Sequence, residues 1–318
     1  MPGPEHFRLS AVHGLAAGQH GVVTRAQALH CGITPGRIAR LVRRRRWQRV
    51  RTGVYFLHPV GADAEPPLEA RVMAVQLALG SHAVAVGPTA ARLWGLHGLS
   101  PGTGGERLHI AAGGGSGAAG PMVRRHAWRP APGEIALYRG IRLTTPGRTL
   151  RDLVVVSDRH TAVSVIDSAL HRGAVTADLL PALRAANAGR PGAVRTRPWW
   201  SLADGRAQSS LESRIRLVCH DGGVPPETLQ YPVYRADGTL AGRADLAWPS
   251  RGVIAEADGR APHTLPEALF TDRRRQNRMV STPERLVLLR FTWRDLHRPH
   301  DIAAAVRAAC RISEEAHR

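Results

Sequence analysis

Two short apolar runs near the end of the chain, 243–248 and 253–258, each carry a carboxylate in their midst, Asp245 in the first and Glu256 in the second. The four residues between them, Pro249, Ser250, Arg251 and Gly252, have turn chemistry, so the segment reads as a β-hairpin. Closing that loop pairs 248 with 253 and therefore 245 with 256. The two carboxylates would then stand opposite one another with Cβ atoms about 5 Å apart, an arrangement that is destabilising unless positive charge is supplied. A divalent cation is the obvious candidate, and Asp258, two residues past Glu256 on the same side of the pleat, would extend the acidic cluster.

Acid is scarce elsewhere. Across 318 residues there are 44 Lys+Arg against 25 Asp+Glu, a formal charge of +19, and every one of the 44 cations is arginine. A coding bias that also favours Ala, Gly and Pro would explain the missing lysine. The physical consequence is the same either way, because guanidinium forks suit phosphate and a positive field favours a polyanionic partner. Nucleic acid, foremost double-stranded DNA, is the expected partner. No apolar stretch approaches the roughly 20 residues needed to span a bilayer, so no membrane association is expected. The first residues lack the pattern of a secretory signal, which makes the cytoplasm the default location. Cys31, Cys219 and Cys310 are too far apart for a C-x-x-C metal site and read as buried thiols; the sixteen histidines form no metal-binding pattern.

Residues 1–58 hold ten arginines and a single acid, Glu5. Thr24 can cap a short helix to His30, and Thr34 with Pro35 supplies the cap and first-turn proline of a second helix running to about Arg45. Ile38, Leu41 and Val42 share one stripe of that helix, leaving Arg37, Arg40, Arg43 and Arg44 to project away from it, with Arg46 and Arg49 following. Residues 47–51 and 52–57 alternate as a β-hairpin, the wing of a winged helix-turn-helix. The bland reading of Arg43–Arg46 is a solvated charge run; its place at the end of a helix-turn-helix pattern favours a nucleic-acid contact. Trp47 reads as core.

The segment 19–29, with Trp47-Gln48-Arg49-Val50 and Gly53-Val54-Tyr55, resembles the amino-terminal winged-helix domain of AbiEi-like antitoxins of type IV toxin–antitoxin systems over about 45 residues. That resemblance implies DNA binding, of an autoregulatory kind, and a cognate toxin as partner. Residues 59–198 form a mixed α/β region, with helices expected over 69–79 and 89–96 and strands over 107–111, 122–126 and 140–143; blocks 88–96 and 145–153 are similar to the AbiEi-type middle region. Residues 115–120 formally match G-x-G-x-x-G, but Pro121 and a strand follow where a helix should, so a hairpin loop is expected rather than a dinucleotide site. Helices over 161–171 and 177–186 lead to a Gly-, Pro- and Arg-rich linker at 187–198.

Residues 199–318 read as a last domain: a helix from Ser209, the acidic hairpin, a helix over 266–279, a strand over 286–291 and a helix over 301–312. Glu212 has two readings, as the partner of Ser209 in a capping box and as an outer ligand of the acidic cluster. The blocks Ser209-x-x-Glu212-Ser213, 243–248, Glu256-x-Asp258-Gly259 with His263, Asp272-Arg273 with Asn277, and 289–293 together resemble a domain family related to very-short-patch-repair endonucleases, within the PD-(D/E)XK nuclease superfamily. What the resemblance implies is a restriction-endonuclease-like α/β domain and metal-dependent phosphodiester hydrolysis in defence or repair. Asp245, Glu256 and Asp258, the last standing where the superfamily has lysine, would hold Mg²⁺ or Mn²⁺; His263 would be the general acid or base, or else a loop residue bonded to Asp258; Arg273 and Arg275 would clamp phosphate or pair with acids on their own helix. The alternative is an antitoxin-like transcriptional regulator whose nuclease-like domain is catalytically inactive.

Overall fold

The computed structural model describes residues 4–57, 61, 64–80, 82–100, 105–112, 120–259 and 286–316. The chain divides into two compact units, one of residues 1–95 and 100–153, the other of residues 96–99 and 154–318. Each is a mixed α/β assembly; the described residues form sheets of three, four and five strands.

In the first unit, α1 (Pro4–Ala17) leads to β1 (Val22–Thr24), α2 (Arg25–His30), α3 (Pro35–Arg43), β2 (Gln48–Arg51) and β3 (Val54–Phe56). Both expected caps form. The Thr24 hydroxyl accepts the Gln27 N–H while the Gln27 side chain accepts the Thr24 N–H, a complete capping box; the Thr34 hydroxyl accepts the Arg37 N–H. α3 ends at Arg43 rather than Arg45, with Arg45 in a left-handed turn at φ 55° that sends the chain into β2. The hairpin gains a third strand, in the order β1–β3–β2, because Val22 and Val23 pair with Phe56 and Tyr55. α1 was not legible in the sequence: its buried side is little more than Leu9, Val12 and Ala16, too sparse for a helical period to stand out. Those residues close a small core with Ile33, Ile38, Trp47 and Tyr55.

The rest of this unit is α4 (Leu68–Leu79), α5 (Gly87–Leu93) and a five-stranded sheet ordered β6–β5–β4–β8–β7, from β4 (Val84–Ala85), β5 (Leu108–Ala111), β6 (Val123–His126), β7 (Ile135–Tyr138) and β8 (Ile141–Thr144). The expected helices and strands are there; the two-residue β4 and the edge strand β7, which lie in the short apolar runs 83–86 and 135–138, were not among the expected strands. α6 (Pro146–Val156) spans the division between the units. The glycine-rich loop lies outside the described residues apart from Gly120.

The second unit continues with α7 (Arg159–His171), α8 (Leu180–Ala185), α9 (Ala193–Thr196) and α10 (Ser210–Asp221). Residues 187–198 lie within it: Asn187 is buried, and Trp199 and Trp200 are buried just beyond. A four-stranded sheet follows, ordered β12–β11–β10–β9, from β9 (Thr228–Tyr234), β10 (Leu240–Trp248), β11 (Val253–Ala257) and β12 (Val287–Phe291), and α11 (Pro299–Ala316) closes the chain. The hairpin register is as expected, with Trp248 opposite Val253 and Leu246 opposite Ala255, the connection being one 3-10 turn ended by Gly252 in the left-handed region at φ 61°. β9 is an addition. Pro232 and the polar Gln230 break its alternation, and proline is tolerated there because β9 is an edge strand. Leu211, Ile215 and Val218 of α10 and Ile302 and Val306 of α11 pack with Leu246, Trp248, Val253 and Ala255 to make the core that fixes α10 against the sheet.

Candidate nucleic-acid interface and carboxylate centre

The arginines of α3 and the turn after it are displayed as the helical stripe demands. Ile38 is buried at 3% exposure and Trp47 at 2%, whereas Arg40, Arg43, Arg44, Arg46 and Arg49 are exposed and Arg37 is half-buried. None of the six is paired with a carboxylate of the described residues, since this part of the chain is almost devoid of acid. Such guanidinium groups keep their hydrogen-bonding capacity for a partner: the nine-residue helix, about 13 Å long, carries Arg37, Arg40 and Arg43, while Arg44 and Arg46 follow in the turn and Arg49 lies on β2.

In the second unit, the start of α10 meets β9 and β10. The Ser209 hydroxyl accepts the Glu212 N–H at 3.2 Å, which is half of the expected capping box. The other half is absent, because the Glu212 carboxylate turns instead to the Gln208 N–H at 2.9 Å and the Gln230 side-chain amide at 2.9 Å. The same Gln230 Nε2 donates to Asp245 Oδ1 at 3.3 Å, so one amide bridges two carboxylates from different elements. Gln230 adopts φ 55° within a strand, a rare conformation for a residue with a side chain, and one that places its amide between the acids. Asp245 Oδ2 accepts the Ala257 N–H at 2.9 Å.

Glu212 is 4% exposed. Its carboxyl pKa is pushed up to about 6, first by burial and then by the neighbouring Asp245 charge, against the lowering effect of its hydrogen bonds. Burial is the larger part of that elevation, and the Asp245 charge adds to it.

Glu256 is held differently. β12 runs parallel to β11 with Arg290 opposite Glu256, and the Arg290 Nη2 donates to Glu256 Oε2 at 3.0 Å. Of the positive charge expected beside Asp245 and Glu256, a guanidinium supplies the part at Glu256. The pair the geometry brings together is Glu212 with Asp245; Asp258 follows the end of β11, its N–H donating to the Phe291 carbonyl at 2.7 Å. His263, Arg273 and Arg275, with Asp272 and Asn277, lie outside the described residues. No group of three or more metal-ligating side chains occurs among the described residues. The reading of the cysteines holds for Cys219 and Cys310, which are buried, while Cys31 is half-buried. Sequence reasoning assigned no role to Gln230 or Arg290. A β-strand neighbour in a parallel pair cannot be located from spacing, and the strand carrying Gln230 was itself hidden.

Comparison with known proteins bears on both halves. Residues 15–58 match the family model described as transcriptional regulator, AbiEi antitoxin, the segment spanning from the end of α1 through β3. Over 235 residues, 71% of this chain and 79% of theirs, the sequence is 32% identical to the uncharacterized proteins Rv2248 and MT2308 of Mycobacterium tuberculosis, strains H37Rv and CDC 1551. The chain belongs to the same family as these two proteins. An alignment of 235 residues is longer than either compact unit alone, so at least part of both recurs in members of that family. No helix of the described residues is long and apolar enough to cross a membrane.

Proposed function

We propose that the protein is a DNA-binding regulator of the AbiEi-antitoxin type, in which α2 and α3 act as a winged helix-turn-helix, α3 enters the major groove and the β2–β3 hairpin is the wing. The observation that carries this reading is the set of exposed arginines on and after α3, free of carboxylate partners among the described residues, within the segment that matches the regulator family. Arg40, Arg43 and Arg44 would contact phosphates and base edges, with Arg49 on the wing reaching the flanking backbone. Replacing Arg40, Arg43 and Arg44 by alanine should reduce binding to the protein's own promoter duplex and flatten the plot of log K against log salt by about 0.9 per lost phosphate contact. Binding that retains the parental salt dependence after all three changes refutes the assignment.

A second reading, metal-dependent phosphodiester hydrolysis by a PD-(D/E)XK-like centre in the second unit, is favoured by one observation: the buried Glu212 carboxyl shares the Gln230 amide with Asp245, and burial first, then the Asp245 charge, raises its pKa. Glu212 and Asp245 would hold Mg²⁺ or Mn²⁺, with Asp258 near the end of β11 and Glu256 kept neutralised by Arg290. Bound there, the ion would supply Lewis-acid stabilisation of the scissile phosphate and a more acidic water. The protein's own residues orient that site: Gln230 fixes the spacing of the carboxylates and the Ala257 N–H fixes the rotamer of Asp245. Nicking of supercoiled plasmid in Mg²⁺ or Mn²⁺ by the full chain, abolished in Asp245→Asn, is the expected result; cleavage that survives that change places the chemistry elsewhere.

A further inference from the structure

Between α1 and α3 runs a cleft of about 420 Å³, lined by Leu9, His13, Leu41, Trp47 and Leu57 and rimmed by Arg37, Arg40, Arg44 and Arg46. A smaller recess of about 40 Å³ prolongs it past Leu9 and Arg37 to Gly32 and Ile33. The floor and the rim answer to different chemistry. Leu9 and Leu41 are only half-buried, so apolar surface is left open to water beside a helix whose arginines have no carboxylate neighbours among the described residues. Phosphate would use the rim and leave the floor wet. A helix with leucine-like anchors on one side and carboxylates on its flanks would use both, by the groove-binding mode in which residues at i, i+3, i+4 and i+7 enter an apolar slot. Around the cleft, residues 1–58 hold ten arginines and one acid, which fixes the sign of the occupant's charge.

We infer that this cleft docks an acidic amphipathic helix of a partner protein, and that the docked helix, by occupying Arg37, Arg40 and Arg44, releases the protein from DNA. Docking stands on the cleft alone, and only the release rests on the DNA-binding reading. The helix acts as a derepressor that competes for the arginines of the recognition helix while anchoring itself on leucines the DNA never touches.

The test uses the full chain and a fluorescein-labelled synthetic peptide of three heptads, Leu at the a, d and e positions and Glu at the others, with a Glu/Ala peptide of equal length and charge as control. In fluorescence anisotropy the Leu/Glu peptide should bind at least tenfold more tightly than the control, and it should displace a labelled 30-base-pair duplex. Leu9→Ser, which removes the anchor, and Leu9→Trp, which fills the cleft, should each weaken the peptide at least tenfold while leaving duplex affinity within twofold. Arg40→Ala should weaken both ligands. The two Leu9 variants act in opposite senses on the local core, so loss of fold in one still leaves the other informative. Equal binding of the two peptides, or parental peptide affinity in the Leu9→Trp variant, overturns the docking. Peptide binding without displacement overturns the release, and absence of duplex binding in the parent overturns the DNA-binding reading while the peptide arm is still read.

Discussion

Replacing Glu212 by glutamine isolates the electrostatics of the carboxylate centre. A carboxyl whose folded pKa is raised binds its proton more tightly in the folded state, so its ionisation penalises folding above the folded value and the penalty vanishes below the unfolded one. Here the window runs from about 6 down to the ordinary 4.5, and the displacement corresponds to about 2 kcal/mol at neutral pH. Glutamine keeps an acceptor for the Gln208 N–H but removes the charge. The carboxylate's hydrogen bonds are already counted in that net shift, so the expected stabilisation at neutral pH is about 2 kcal/mol, or roughly 4–8 °C in melting temperature for a unit of this size. Thermal denaturation of parent and Glu212→Gln between pH 4.5 and 7.5 measures it. The two proteins should melt together at pH 4.5 and diverge as pH rises through 6. Asp245→Asn should move the parental inflection lower without abolishing it, since burial, the larger cause, is untouched. Millimolar Mg²⁺ should raise the melting temperature of the parent above pH 6 and leave Glu212→Gln unmoved if the pair is a cation site. A difference between parent and Glu212→Gln that is the same at pH 4.5 and 7.5 refutes the claim that Glu212 is raised by its surroundings.

Other consequences follow from the remaining contacts. Arg290→Leu leaves the buried Glu256 without the guanidinium opposite it and should cost on the order of 3 kcal/mol in urea unfolding, with Glu256→Gln restoring much of the loss when added to it. Thr34→Ala removes the N-cap of α3 and should cost about 1 kcal/mol, read as a lower denaturation midpoint and weaker duplex binding in parallel. The His109 pKa is pushed down to about 4 by burial, helped by His126 and Arg124, so the neutral ring contributes stability that is present above 6.5 and lost as pH falls from there toward 4. His109→Gln should make the first unit less sensitive to acid across that interval, followed by hydrogen exchange of β5 and β6 amides.

What was legible in the sequence was whatever is encoded locally. The caps at Thr24 and Thr34 and the turn at 249–252 are short-range devices whose residues sit next to what they satisfy, so their positions followed from spacing alone. The arginine face of α3 was legible for the same reason, because Ile38, Leu41 and Val42 set the helix's orientation without reference to anything distant. The hairpin register even placed Asp245 and Glu256 correctly along their strands. Their partners were another matter. Arg290 reaches Glu256 only because β12 adds to β11 in parallel, and Glu212 shares the Gln230 amide with Asp245 only because α10 packs against β10 and β11 while the edge strand β9, hidden by Pro232, brings Gln230 alongside. Spacing along a chain fixes which side chains share a face; which charge comes to meet a buried carboxylate is decided by elements tens of residues away, brought in by core packing that has no local sign. The sequence alone therefore determined two capped helices with a basic face and an acidic hairpin, and the tertiary structure decided that the hairpin's two acids are met in different ways, one by a guanidinium and one in the company of a second acid.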